Sequence, residues 1–252
     1  MTNPGPALNG DELTDLITRL LIDGDLRDRL ASEGASAVAA NAAELECLET
    51  VDLEELGTAA RRFRSGIWRL GREGGLGVTF LRSLRMIAET GADGPALLNA
   101  FIASGHFSQF RLVPYAGQGL SVEESFASFL LDAVGQNAST VLRETITHEL
   151  MSALFTALAT EQPLSFVIGA PGIIKTGRGH AALCSYASAS LAAWGERGPG
   201  GDAVRTMPYA YFAVPDRVAR GVVTSRVAAA FEADPTPEGD VARLQLSKRG
   251  LW

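Results

Sequence analysis

His148 and Glu149 sit side by side in a stretch of helical periodicity, and a second His four positions after the first would complete a zinc-binding HExxH pair. Ser152 stands there instead, so that chemistry is missing. Lys175-Thr176 follows Gly169 and Gly172 in the manner of a phosphate-binding loop. Ile174, however, occupies the place of the glycine before the Lys, where a side chain obstructs backbone approach to phosphate. Gly71, Gly74, Gly75 and Gly77 follow a helical pattern and not a strand, which argues against a dinucleotide fingerprint and for a connection between helices. No Gly-x-Ser-x-Gly elbow occurs, and the three histidines, His106, His148 and His180, lack metal-ligand spacing. Glu123 and Glu124 are suited to a helix N-terminus. The expectation is a chain with no catalytic residue and no metal ligand of its own.

One charged cluster resists dismissal. Arg61, Arg62, Arg64, Arg69, Arg72, Arg82 and Arg85 are accompanied by a single acid, Glu73, whereas residues 1–60 hold 13 acids and 3 bases. The guanidinium groups can pair with the acidic N-terminal helices of the same chain, or contact an acidic peptide or a partner enzyme. With a formal charge of −7 overall, the chain lacks the basic face that phosphate neutralisation requires, so nucleic acid is not an expected partner.

The elements that must carry these residues follow from apolar periodicity. Leu13, Leu16, Ile17, Leu20 and Leu21 mark an amphipathic helix, with Asn9 or Asp11 as its cap and Gly24 as its stop. A short helix over Asp25 to Leu30 and an Ala-rich stretch over Ala35 to Ala43 come next. Asp52 with Glu55 opens a helix through Leu56, Ala60, Phe63 and Ile67. Phe80 to Ala88, a helix begun by Pro95, one capped by Ser121 with Glu124, and a long one capped by Ser139 complete a bundle of about seven helices. Pro163 ends this regime. Leu164 to Ile168 reads as a short strand, and His180 to Trp194 as strand then helix. The segment Gly195 to Asp202 is linker-like. The fold class expected is α+β, with a helical domain over 1–161 and a mixed domain over 162–252.

No apolar run reaches the ~18 residues a membrane span needs, and MTNPGPALNGDEL lacks the features of a secretion signal. Cys47 and Cys184 stand far apart, without partners at metal spacing, as expected for core thiols of a cytoplasmic protein.

The richest stretch is Met207 to Gln245. Tyr209, Tyr211 and Ala213 alternate with Ala210, Phe212 and Val214, Pro215-Asp216 supplies turn chemistry, and Gly221-Val222-Val223 returns, which makes a hairpin. Ser225 and Asp240 are placed to cap two short helices, the first carrying Val227, Ala230 and Phe231. A hairpin packed on small helices resembles the winged-helix leader-peptide recognition element of ribosomal peptide natural-product pathways. The segment Ala100 to Leu131, with the Arg-rich helix before it, is similar to the helical part of partner proteins that accompany multinuclear non-haem iron-dependent oxidative enzymes.

These resemblances imply a non-catalytic partner that forms a heterodimer with the metal-dependent enzyme and presents a precursor peptide to it. The iron would reside in the partner enzyme, with no cofactor in this chain. The peptide would add as a strand to the hairpin, with Tyr209, Tyr211, Phe212, Ala213, Val214, Val227 and Phe231 lining its groove. Whether the odd or the even residues of that strand face the groove is left open by the pattern. Arg61, Arg62, Arg64 and Arg69 are the expected contacts to the partner enzyme. The rival readings are an enzyme whose site lies between the two parts, using His106, His148, Glu149 or His180, and a helical regulator or scaffold.

Overall fold

Helix formation begins at the first side chain able to cap. Asn9 accepts from the amides of Asp11 and Glu12, and Glu12 accepts from the Asn9 amide, so α1 (Gly10–Ile22) opens on a complete capping box. Asp23 caps α2 (Gly24–Glu33), which makes Gly24 the start of the second helix and not only the stop of the first. A 3-10 turn (Ala35–Ala37), α3 (Ala42–Glu49) capped by Asn41, and α4 (Leu53–Ile67) behind Asp52 follow. The computed structural model describes residues 8–67, 75–107, 120–161, 164, 166–196, 205–215, 217–234 and 236–252. Leu16, Leu20, Leu30 and Leu48 bury a small core, and Arg19 ties α1 to α3 through Glu44. Leu13 and Ile17 of the expected α1 stripe stay 40% and 47% exposed.

The second layer of helices comprises α5 (Leu76–Thr79), α6 (Leu81–Glu89), α7 (Gly94–Ala103), α8 (Val122–Val134) and α9 (Thr140–Thr160). Pro95 lies in the first turn of α7, Ser121 and Glu124 close a capping box on α8, and Ser139 accepts from the Leu142 amide to start α9. Their apolar faces meet around Phe80, Phe101, Phe107, Phe126 and Phe129.

The C-terminal part is a four-stranded antiparallel meander of β1 (Ile173–Lys175), β2 (His180–Ala187), β3 (Thr206–Val214) and β4 (Arg217–Val222), with α10 (Ser188–Ala193) after β2. The chain ends with α11 (Ser225–Ala228), a 3-10 turn (Ala229–Phe231) and α12 (Pro237–Lys248). The protein is therefore α+β. One sheet face, with Ala182, Tyr186, Tyr209, Tyr211 and Ala213, packs on Met151, Phe155 and Leu158 of α9. The other, with Ala181, Ala210 and Phe212, packs on Ala230, Ala242 and Leu246. Secondary structure changes character after α9, but packing does not break there, because α9 contributes Leu142 and Ile146 to the helical core and Met151 and Phe155 to the sheet core.

Several local expectations shift. Leu164 to Ile168 holds no described strand: Leu164, Phe166 and Ile168 point into the cores, while the Gly169 and Ala170 amides bond to Glu124 Oε1 at 2.7 and 2.9 Å instead of to a neighbouring strand. The first strand is Ile173–Lys175, joined to β2 by a turn in which Gly179 is required, since a Cβ there would overlap the Ala213 carbonyl. Thr224 and not Ser225 caps α11, and Thr236 and not Asp240 caps α12, because Pro237 already supplies the first helical φ. Cys47 and Cys184 are free and only half-buried. The linker-like residues 197–202 lie outside the described residues. Among the described residues no helix is long and apolar enough to cross a membrane.

Candidate functional site

One face of α9 lies on the sheet, and that placement carries His148 into a cage of aromatic rings. Its ring stacks on Trp194 with centroids 4.1 Å apart and planes 11° from parallel, and Tyr209 meets it edge-on at 5.6 Å. His148 Nδ1 is 2.6 Å from the Tyr211 hydroxyl, which lies 2.9 Å from the Tyr186 hydroxyl. Trp194 donates its indole N–H to Thr145 Oγ1 at 2.9 Å, and Tyr209 donates to Glu196 Oε1 at 3.0 Å. Burial, reinforced by the Arg220 and Arg82 charges, lowers the His148 pKa from 6.5 to about 4. Burial raises the pKa of Tyr186, Tyr209 and Tyr211. Near neutral pH the imidazole and the three phenols are uncharged, and their polar atoms answer one another as buried groups must.

Glu149, one position on, turns toward α6. Oε1 accepts from the Arg82 amide at 2.9 Å, and Oε2 accepts from the Ser83 amide at 3.1 Å and its hydroxyl at 2.5 Å. These amides belong to the first turn of α6, so the carboxylate serves as a helix cap supplied from a distant helix. Burial raises its pKa, and the Ser83 and Arg82 bonds oppose that rise. Ser152, where a second zinc ligand would stand, instead donates to the His148 carbonyl at 2.7 Å. His106 Nε2 pairs with Asp132 at 2.9 Å on the helical side, and His180 opens β2, its pKa lowered by burial and by Lys175. The histidines thus sit apart, and no metal-holding group of His, Cys, Asp and Glu occurs among the described residues.

The expected peptide groove requires correction. Tyr209, Tyr211, Phe212, Ala213 and Val214 are all buried, the two tyrosines completely. The choice between the odd and even faces disappears, because α9 covers one and α11 to α12 cover the other. Nor is this strand an edge: β3 pairs with β2 from Ala213 to Thr206 and with β4 from Tyr209 to Val214, so its amides and carbonyls are spent in two ladders. Val227 and Phe231 are half-buried under the sheet, where Phe231 meets Phe212 at 5.9 Å and Trp252 at 5.3 Å.

The sheet has two edge strands, the three-residue β1 and the longer β4. Among the described residues β4 pairs only with β3, and its sequence Arg217-Val218-Ala219-Arg220-Gly221-Val222 keeps both arginines exposed. Register puts Val218, Arg220 and Val222 opposite Ala213, Tyr211 and Tyr209, on the face covered by α9. Between this edge and the helices lies a cleft of about 260 Å³, lined by Val78 and Thr79 of α5, by Glu149, Ser152, Ala153 and Thr156 along one row of α9, and by Arg220. Charged residues in a short strand are a device of edge strands, and the two arginines beside Gly221 were the signal in the sequence that β4 is one.

The arginine belt divides. Arg61 and Arg62 are exposed on α4, with Arg61 donating to Thr58 Oγ1 at 2.9 Å. Arg64 lies within α4, while Arg69 and Arg72 fall outside the described residues. Arg82 donates to the Trp194 carbonyl at 3.3 Å, linking α6 to the segment after α10. Comparison of the chain with family models, with curated proteins and with solved structures finds no match.

Proposed function

We propose that the protein is a peptide-binding partner, without catalytic chemistry of its own, that takes an extended segment of a ribosomally made precursor as a fifth strand on β4 and presents it to a metal-dependent modifying enzyme. The observation that carries this reading is the outer side of β4, which has no strand partner among the described residues, beside the cleft walled by α9. An added strand gains its register from backbone hydrogen bonds and its selectivity from alternate side chains. Here alternate side chains would meet Ser152, Thr156 and Arg220. Glu149, a rival candidate for catalysis, has both carboxylate oxygens bonded to α6, and the Nδ1 of the other, His148, is bonded to Tyr211. The α+β layout, with a recognition-element-like sheet after helices, agrees with the same reading.

The test is hydrogen exchange on the intact chain, with peptides selected on it from a random display library. Amides of residues 217–222 gain protection when a selected peptide is present, and those of β3, already paired on both sides, do not change. Protection confined to other segments, or failure to select any peptide, refutes strand addition at this edge.

A further inference from the structure

We infer that the peptide taken up at the β4 edge carries a run of acidic side chains, held in a basic cleft at the start of that strand; this rests on the strand-addition reading above. Arg217 is the first residue of β4, and beside it a cleft of about 710 Å³ is lined by Arg178, Val214, Pro215, Arg217, Lys248, Arg249 and Gly250. Four of these seven are cations, and no carboxylate lines the cleft among the described residues. Asp216, adjacent in sequence, leaves a positive excess even if counted against them.

The wall is built by three elements distant in the chain. Arg178 sits in the turn between β1 and β2, whose shape is set by the Thr176 amide donating to the Gly179 carbonyl at 2.8 Å and by the Gly179 amide donating to Thr176 Oγ1 at 3.1 Å. Arg217 donates to the carbonyls of Arg249 and Gly250 at 3.1 and 3.3 Å, which docks the end of α12 against the start of β4. Lys248 and Arg249 then project from the C-terminal end of α12. Their position there also suits the negative end of the helix dipole. The dipole does not account for Arg178, which belongs to another element.

Charge decides the occupant. On a chain of net charge −7, an acidic peptide is repelled by the molecule at large and attracted here, so the cleft selects both the ligand and the end of β4 at which its acidic part lies. Arginine forks favour carboxylates over neutral polar groups, and the breadth of the cleft suits several side chains and not a single small ion.

The experiment uses the full chain and two fluorescent peptides, one joining a Thr-Val repeat to a run of Glu, the other with Gln at every Glu. At low salt the Glu peptide should bind ~10-fold or more tightly than the Gln peptide, an advantage that shrinks as salt rises. The exposed pair Arg178→Glu with Lys248→Glu should abolish that advantage, leave the Gln peptide unaffected and leave the melting temperature near the parent's. Equal binding of the two peptides by the parent overturns the acidic preference while strand addition stands. A preference that survives the double reversal places the acidic contacts elsewhere and overturns the site. Displacement of the Glu peptide by inorganic phosphate at matched charge identifies a small-anion site in place of a peptide site. Binding of neither peptide overturns the inference together with the reading it rests on.

Discussion

Two faces of α9 pack into chemically different cores. One, with Leu142 and Ile146, joins an apolar cluster in which Phe80, Phe101 and Phe107 meet neighbouring rings edge to face at 4.9 to 5.3 Å. The other, with Thr145, His148, Met151 and Phe155, joins Tyr186, Trp194, Tyr209 and Tyr211, each with a hydrogen-bonding tip that has a named partner. Apolar packing rewards volume and tolerates rearrangement, whereas a chain of bonded hydroxyls and a ring nitrogen accepts one register only. A one-residue slip of β3 would exchange Tyr211 for Ala210 or Phe212 under His148, leaving Nδ1 unpartnered. The helical part is thus held by bulk and the sheet by direction, and the sheet is the part whose edge takes the peptide in the proposed function.

The comparison can be broken first in the hydrocarbon core. Phe126 is fully buried and contacts Phe80, Phe101 and Phe129, so Phe126→Ala should cost about 3–5 kcal/mol in chemical denaturation. A loss below 1 kcal/mol would mean that the helices collapse into the space and that this core is not the rigid one assumed.

A smaller effect, found only in the polar core, depends on pH. The unfolded His148 takes up a proton near 6.5, and the native one only near 4, so between these values the unfolded state holds more protons and stability rises with pH. Acidification from pH 7 to 4 should remove roughly 3 kcal/mol through this group, with only a small remainder lost over about one further pH unit. Glu149, whose pKa is raised, contributes in the opposite sense, but it is present in parent and variant alike. Subtracting the stability curve of His148→Gln from the parent's isolates the His148 contribution. A difference that is flat from pH 7 to 4 would show that the ring is reached by water and titrates normally.

The smallest effect is expected outside both cores. Arg61 is exposed and, among the described residues, bonded to Thr58 three residues earlier, so Arg61→Ala should change stability by less than about 0.5 kcal/mol. If Arg61 is part of the partner-enzyme contact, the same variant weakens copurification with that enzyme at unchanged melting temperature. A drop of several degrees instead would assign the arginine to the internal network.

Local decisions are legible along the chain because their partners lie within a turn. Asn9 with Glu12, Ser121 with Glu124, Ser139, Pro95 and the alternation from Tyr209 to Val214 each declare a cap, a helix start or a strand. They determine the α+β class, the helices before the sheet, and the hairpin of β3 and β4. Tertiary structure decided what each surface does. Alternation in β3 cannot reveal that both its faces are covered, because α9 and α12 reach it from opposite ends of the sequence. A lone Glu beside a lone His cannot announce that one caps α6, 66 positions away in the Ser83 bonds, while the other bonds Tyr211, 63 positions away. Arg178, Arg217, Lys248 and Arg249 become one basic wall only when β4 and the end of α12 are docked, since charge acts through distance in space and the chain separates those residues by whole elements.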